Sequence, residues 1–136
     1  VATKRDDGRS RLYRVTPDET ANKPVVAVLL GELDVRDPPL IKGLSLRVTG
    51  ADMDGDQRLL VRSYFRAWSF DFATPLTAPT PSLQAILDGT AAAPTRTKLA
   101  TGFDIQAESI ASDGKGGFWH TSELVSQPLW HVPCSP

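Results

Sequence analysis

Two carboxylates, Asp52 and Glu108, each follow an alanine near the start of a strand-like run, and the two runs resemble one another. Oxygens brought to one height from successive repeats could converge on a hard cation such as calcium, which takes about six to eight oxygen ligands. The alternative is that each accepts hydrogen bonds from neighbouring backbone or from Arg62 and so holds repeats together. The acidic run Asp52-Met53-Asp54-Gly55-Asp56 has the outline of a calcium loop, but an EF-hand needs glycine where Gln57 stands and a bidentate glutamate where Ser63 stands. A hairpin turn fits it better, because the matching turn downstream, Ser112-Asp113-Gly114, lacks the alternating aspartates.

Nucleophilic chemistry has less to work with. The chain holds two histidines, His120 and His131, and no G-x-S-x-G elbow; residues 43–47 lack the second glycine. His131 and Cys134 are too close together on a strand to face one another, and one cysteine with two histidines does not fill a zinc site. Both histidines are read as packed or exposed side chains without a catalytic role. Cys134 cannot close a disulfide within the chain; in a secreted protein it would pair with another chain or remain a thiol.

These side chains need a scaffold, and the sequence supplies one twice. Residues 48–72 read as three strands in succession: 50–54, the turn Asp54-Gly55-Asp56, then 58–64 and 66–72. In the third, Trp68, Phe70 and Phe72 alternate with Ala67, Ser69 and Asp71, so one face carries three aromatics and should be buried. Residues 104–132 repeat the pattern, with strands at 107–112, 117–122 and 129–133. Ser63 finds its counterpart in Ser122 and Trp68 in Trp130, at nearly the spacing that separates Asp52 from Glu108. Self-similarity at such a period marks a repeat architecture, and four strands per unit points to propeller blades.

Upstream, residues 1–4 and 11–15 form a predicted hairpin around the turn DDGRS, residues 25–33 a buried strand, residues 34–43 a loop interrupted by Pro38-Pro39, and residues 44–48 a further short strand. Between the copies, 74–82 is irregular, 83–87 is a fourth strand or a single helical turn, and 88–98 is loop. No stretch sustains a helical period with caps, so the predicted class is all-β. Aligning Tyr13 with Trp68, close to one period further on, makes the N-terminal hairpin the second and third strands of a blade. Residues 1–47 are then a partial blade, 48–100 a full one and 101–136 another partial one, about two and a half four-stranded blades in all.

Composition narrows the partners. The 15 basic and 16 acidic residues among 136, net charge -1, are scattered, which argues against a nucleic-acid face or a polybasic membrane anchor. The one basic concentration, Lys4 to Arg14, has Asp6 and Asp7 inside it and reads as a solvated edge. No apolar run approaches the ~20 residues of a membrane span, and no signal peptide is visible. The opening VATKRDDG, without an initiator methionine, suggests a processed or internal piece, and the excess of arginine over lysine suggests a GC-rich bacterial source.

A propeller needs about four to eight blades before the ring removes its own edges. An arc of two and a half would expose raw edges and apolar faces, so a second polypeptide, cut from the same precursor, is expected to complete the ring. It would supply an outer strand after Pro133 and an inner strand before Val1, leaving Cys134 beside it as an interchain disulfide candidate. The competing architecture is a self-contained β-sandwich with a coincidental repeat.

The segment Ala107-Glu108-Ser109-Ile110-Ala111, followed by Asp113-Gly114, Trp119 and Ser122-Glu123, resembles the E-G-I-A…D-G…S-E pattern of phytase-like and gluconolactonase-like calcium propellers, departing from it at Ser109. The resemblance implies that Glu108 faces a central site where bound calcium supports phosphoester or lactone hydrolysis. Two functions follow as expectations. The first is a binding or scaffold subunit of a secreted or periplasmic two-chain propeller, with its ligand at the channel face; the alternative is a calcium-dependent hydrolase with Glu108 and Asp52 near the metal. Tyr13, Phe65, Trp68, Trp119 and Trp130 are expected in the inter-blade core.

Overall fold

The computed structural model describes residues 2–15, 27–36, 46–76, 92–101, 106–123 and 126–134. There the chain is all-β, with nine strands in three small antiparallel sheets. Among these residues no helix is long and apolar enough to cross a membrane.

The first sheet pairs β1 (Arg9–Arg14) with β2 (Val28–Asp34). The predicted N-terminal hairpin is present, with its first arm reduced to a single bridge between Ala2 and Leu12. Its turn is fixed by the Asp7 carboxylate, which accepts the Arg9 N–H at 3.0 Å, and by Gly8 at a φ of 70°.

The second sheet is a four-stranded meander of β3 (Val48–Asp54), β4 (Arg58–Ser63), β5 (Ala67–Asp71) and β6 (Thr95–Leu99). The first three strands fall close to their predicted bounds. Two expectations change. Val48 opens β3 instead of ending a separate short strand, with residues 44 and 45 outside the described residues. The fourth strand is β6, inside the stretch read as loop, while 83–87 lies outside the described residues. The reason is that β6, TRTKL, buries no face: the ladder to β5 makes it a strand, and its Arg96 and Lys98 suit an exposed sheet edge.

The third sheet holds β7 (Ala107–Ser112), β8 (Phe118–Ser122) and β9 (Trp130–Val132), close to prediction.

The sheets stack face to face. On one side of the second sheet Leu59, Val61, Trp68, Phe70 and Phe72 pack with Leu12, Leu30, Leu33 and Val35 from β1, β2 and the end of β2. On the other, Leu60 and Ala67 pack with Ile110 and Phe118 of the third. Cross-strand registers make the alternation explicit: Leu59 faces Phe70 and Val61 faces Trp68 on one surface, Leu60 faces Ser69 on the other. Burial on both surfaces explains why Leu59, Leu60 and Val61 of β4 are apolar in succession.

The second and third sheets repeat to the level of a defect. Each has a β-bulge at the second residue of its first strand, Thr49 between Val48 and Gly50, and Glu108 between Ala107 and Ser109. The register therefore advances by one and the same step from β3 to β7 and from β4 to β8: Val48 maps to Ala107, Leu59 to Phe118 and Ser63 to Ser122. Asp52 corresponds to Ala111, and Glu108 to Thr49; the expected match of Asp52 with Glu108 is replaced by this register.

Candidate functional site

β3 and β7 run alongside each other in the same sense. No ladder joins them. Instead, the Thr49 hydroxyl donates to the Ala107 carbonyl at 2.7 Å, and Asp52 Oδ2 accepts the Ser112 N–H at 2.8 Å. Ser112 Oγ donates to Asp54 Oδ1 at 2.7 Å, and Arg58 Nη1 reaches both Asp54 Oδ2 at 3.1 Å and the Gly116 carbonyl at 3.0 Å. Gly50 permits this approach, since a Cβ there would stand 3.1 Å from the Glu108 carbonyl oxygen and from Ile110 N.

Of the acidic run, Asp52 to Asp54 end β3 and the expected hairpin turn follows at 55–57, with Gly55 at a φ of 72°. Glu108 lies 3.7 Å from Lys4 Nζ across a partly exposed ion pair. The two candidate carboxylates thus engage different protein partners at different heights of the repeat. Among the described residues no three or more His, Cys, Asp or Glu side chains group as metal ligands.

A groove of about 500 Å³ opens beside β3 on its other flank, toward the first sheet. Ala2 and Lys4 form one wall, Thr49, Gly50 and Asp52 the other, and Leu12 lies between. Asp6, paired with Arg47, ties the first sheet's turn to the entry of β3. Arg96 Nη1, bonded to the carbonyls of Asp34 and Arg36 at 3.0 Å each, ties β6 to the end of β2.

At the far side of the third sheet, sequence reasoning missed a cluster. His131 Nε2 donates to Asp113 Oδ2 at 2.8 Å, and its ring stacks on Trp119 with centroids 4.3 Å apart. Asp113 Oδ1 also accepts the N–H groups of Lys115 and Gly117, at 2.8 and 2.9 Å. These bonds, the His131 one foremost, hold the Asp113 carboxyl below its ordinary range. The cluster closes the β7–β8 turn and ties β9 to it. The distance in sequence between the partners hid it, although Asp-Gly and a strand histidine were both visible.

His120 is buried and Cys134 is exposed just beyond β9, beside Gly116. Phe65 and Trp68 are buried as expected, but Trp119 and Trp130 are 39% and 52% exposed. Among the described residues no further sheet covers the outer face of the third one, where Trp119 lies opposite His131, whereas Trp130 pairs with His120 on the other face, at the edge strand β9.

No protein-family model matches the chain, and no curated protein or solved structure is significantly similar to it.

Proposed function

We propose that the chain is an arc of a β-propeller and serves as the binding or scaffold subunit of a two-chain assembly, its ligand meeting the channel side lined by β3 and β7. The repeated bulge carries this reading: two sheets with the same irregular register, stacked face to face with inner strands side by side, are what successive blades require. The first sheet supports it as a third copy, because its order of Ala2 segment, β1, β2 matches second, third and fourth strands. Exposure of Cys134 beyond the edge strand β9 supports an interchain disulfide and a secreted or periplasmic setting.

The test is intact mass of the natively purified protein, with and without reductant. A second, different polypeptide accompanying the 14.7 kDa chain, released by reductant or by Cys134→Ser, is the expected result. Recovery of the chain alone as a monomer removes the reading. The calcium-dependent hydrolase of phytase-like or lactonase-like type is the competing proposal. Stoichiometric calcium lost on Glu108→Gln would favour it; the engagement of Glu108 by Lys4 and of Asp52 by Ser112 favours the scaffold.

A further inference from the structure

We propose that the groove between residues 2–4 and β3 is a strand-binding site, taking an extended segment of the second polypeptide as the inner strand that the first sheet lacks. The site rests on the two-chain reading above and names what fills one flank of the arc.

Backbone direction is the first argument. Thr3 donates its N–H to the Arg11 carbonyl at 3.0 Å next to the antiparallel Ala2–Leu12 bridge. Alternation along a strand then turns the peptide groups of Ala2 and Lys4 away from β1, and these are the two residues of the segment that line the groove. An edge with outward N–H and C=O groups is a template for an added strand.

The chain itself shows what lies beside such an edge. The second and third sheets both open with a bulged inner strand, and among the described residues the first sheet has none. The opposite wall of the groove is β3, whose other flank already accommodates an inner strand, β7. An occupant related to β3 as β3 is to β7 needs three things. It begins with a small apolar residue, as at Val48 and Ala107. Its bulged residue carries a hydroxyl, as Thr49 does, to reach the Val48 carbonyl as Thr49 reaches that of Ala107. A glycine follows, because the neighbouring backbone passes within 3.1 Å of a Cβ at that position.

A fluorescein-labelled peptide of residues 46–54, LRVTGADMD, carries this pattern and serves as the probe. Anisotropy titration with the 136-residue chain is expected to show saturable binding at micromolar concentration. Two changes should each weaken it about tenfold: Gly50→Val in the peptide, and Lys4→Pro in the chain, which deletes an N–H aimed at the groove. Lys4→Ala, which removes the Glu108 ion pair but keeps the N–H, should bind as the unmodified chain does. Unchanged circular dichroism and thermal midpoint of Lys4→Pro establish that the sheet is intact. Absence of binding, or binding indifferent to Lys4→Pro, overturns the site. If a second polypeptide co-purifies yet the peptide does not bind, this site falls while the two-chain reading stands.

Discussion

Asp113 shows how a residue that looked like turn punctuation becomes a junction. Its two oxygens hold the turn's N–H groups and the His131 ring, and its carboxyl sits below the usual range in consequence. Asp34 is lowered to about 2, chiefly by the Arg36 guanidinium, and Asp7 is lowered by Arg5 and by the Arg9 N–H. Folded values below the unfolded ~3.9 mean that these groups contribute stability above about pH 4 and lose it as pH falls through the folded values. The denaturation midpoint should therefore drop between about pH 4 and pH 2, and His131→Ala should shrink that drop; an identical acid limb in the variant contradicts the Asp113 assignment. Glu108→Gln should shift stability by less than about 1 kcal/mol in urea titrations, since Lys4 is 55% exposed. Both candidate carboxylates were visible in the sequence. Their partners were not, because one bulge residue decides which positions share a height, and the pairs Ala51-Asp52 and Ala107-Glu108 suggest a register other than the one the strands adopt.

At the scale of strands, alternation in β5 was legible because Trp68, Phe70 and Phe72 face one core and Ala67 and Ser69 another. Trp68→Ala should cost about 3–5 kcal/mol, read from chemical denaturation, as the side chain is 2% exposed among the aliphatics of both sheets. Gly50 belongs to a different class, where no cavity is made. Replacing it by valine forces a side chain against the backbone of β7, with an expected loss of about 1–3 kcal/mol. A Gly50→Val variant as stable as the parent would mean that β3 and β7 are not closely apposed. β6 escaped sequence reading for the opposite reason: with almost all of it exposed, no burial pattern marks it, and only pairing to β5 makes it a strand.

The whole molecule is unequal on its two sides. Leu60 and Ser69 of the second sheet lie under the third, while the positions that match them in the repeat, Trp119 and His131, face outward. With Leu129 63% exposed in the same sheet's last segment, this face presents apolar surface of the kind that associates. Trp119→Ser with Leu129→Ser should keep the isolated chain monomeric at concentrations where the parent self-associates in sedimentation velocity. Amide hydrogen exchange tests the proposed two-chain arc most directly. In the isolated chain β4 and β5, flanked on both faces, should exchange slowest, whereas residues 2–4 and β9 should exchange rapidly and become protected only in the two-chain assembly. A lone monomer in which residues 2–4 and β9 are as protected as β4 would contradict it.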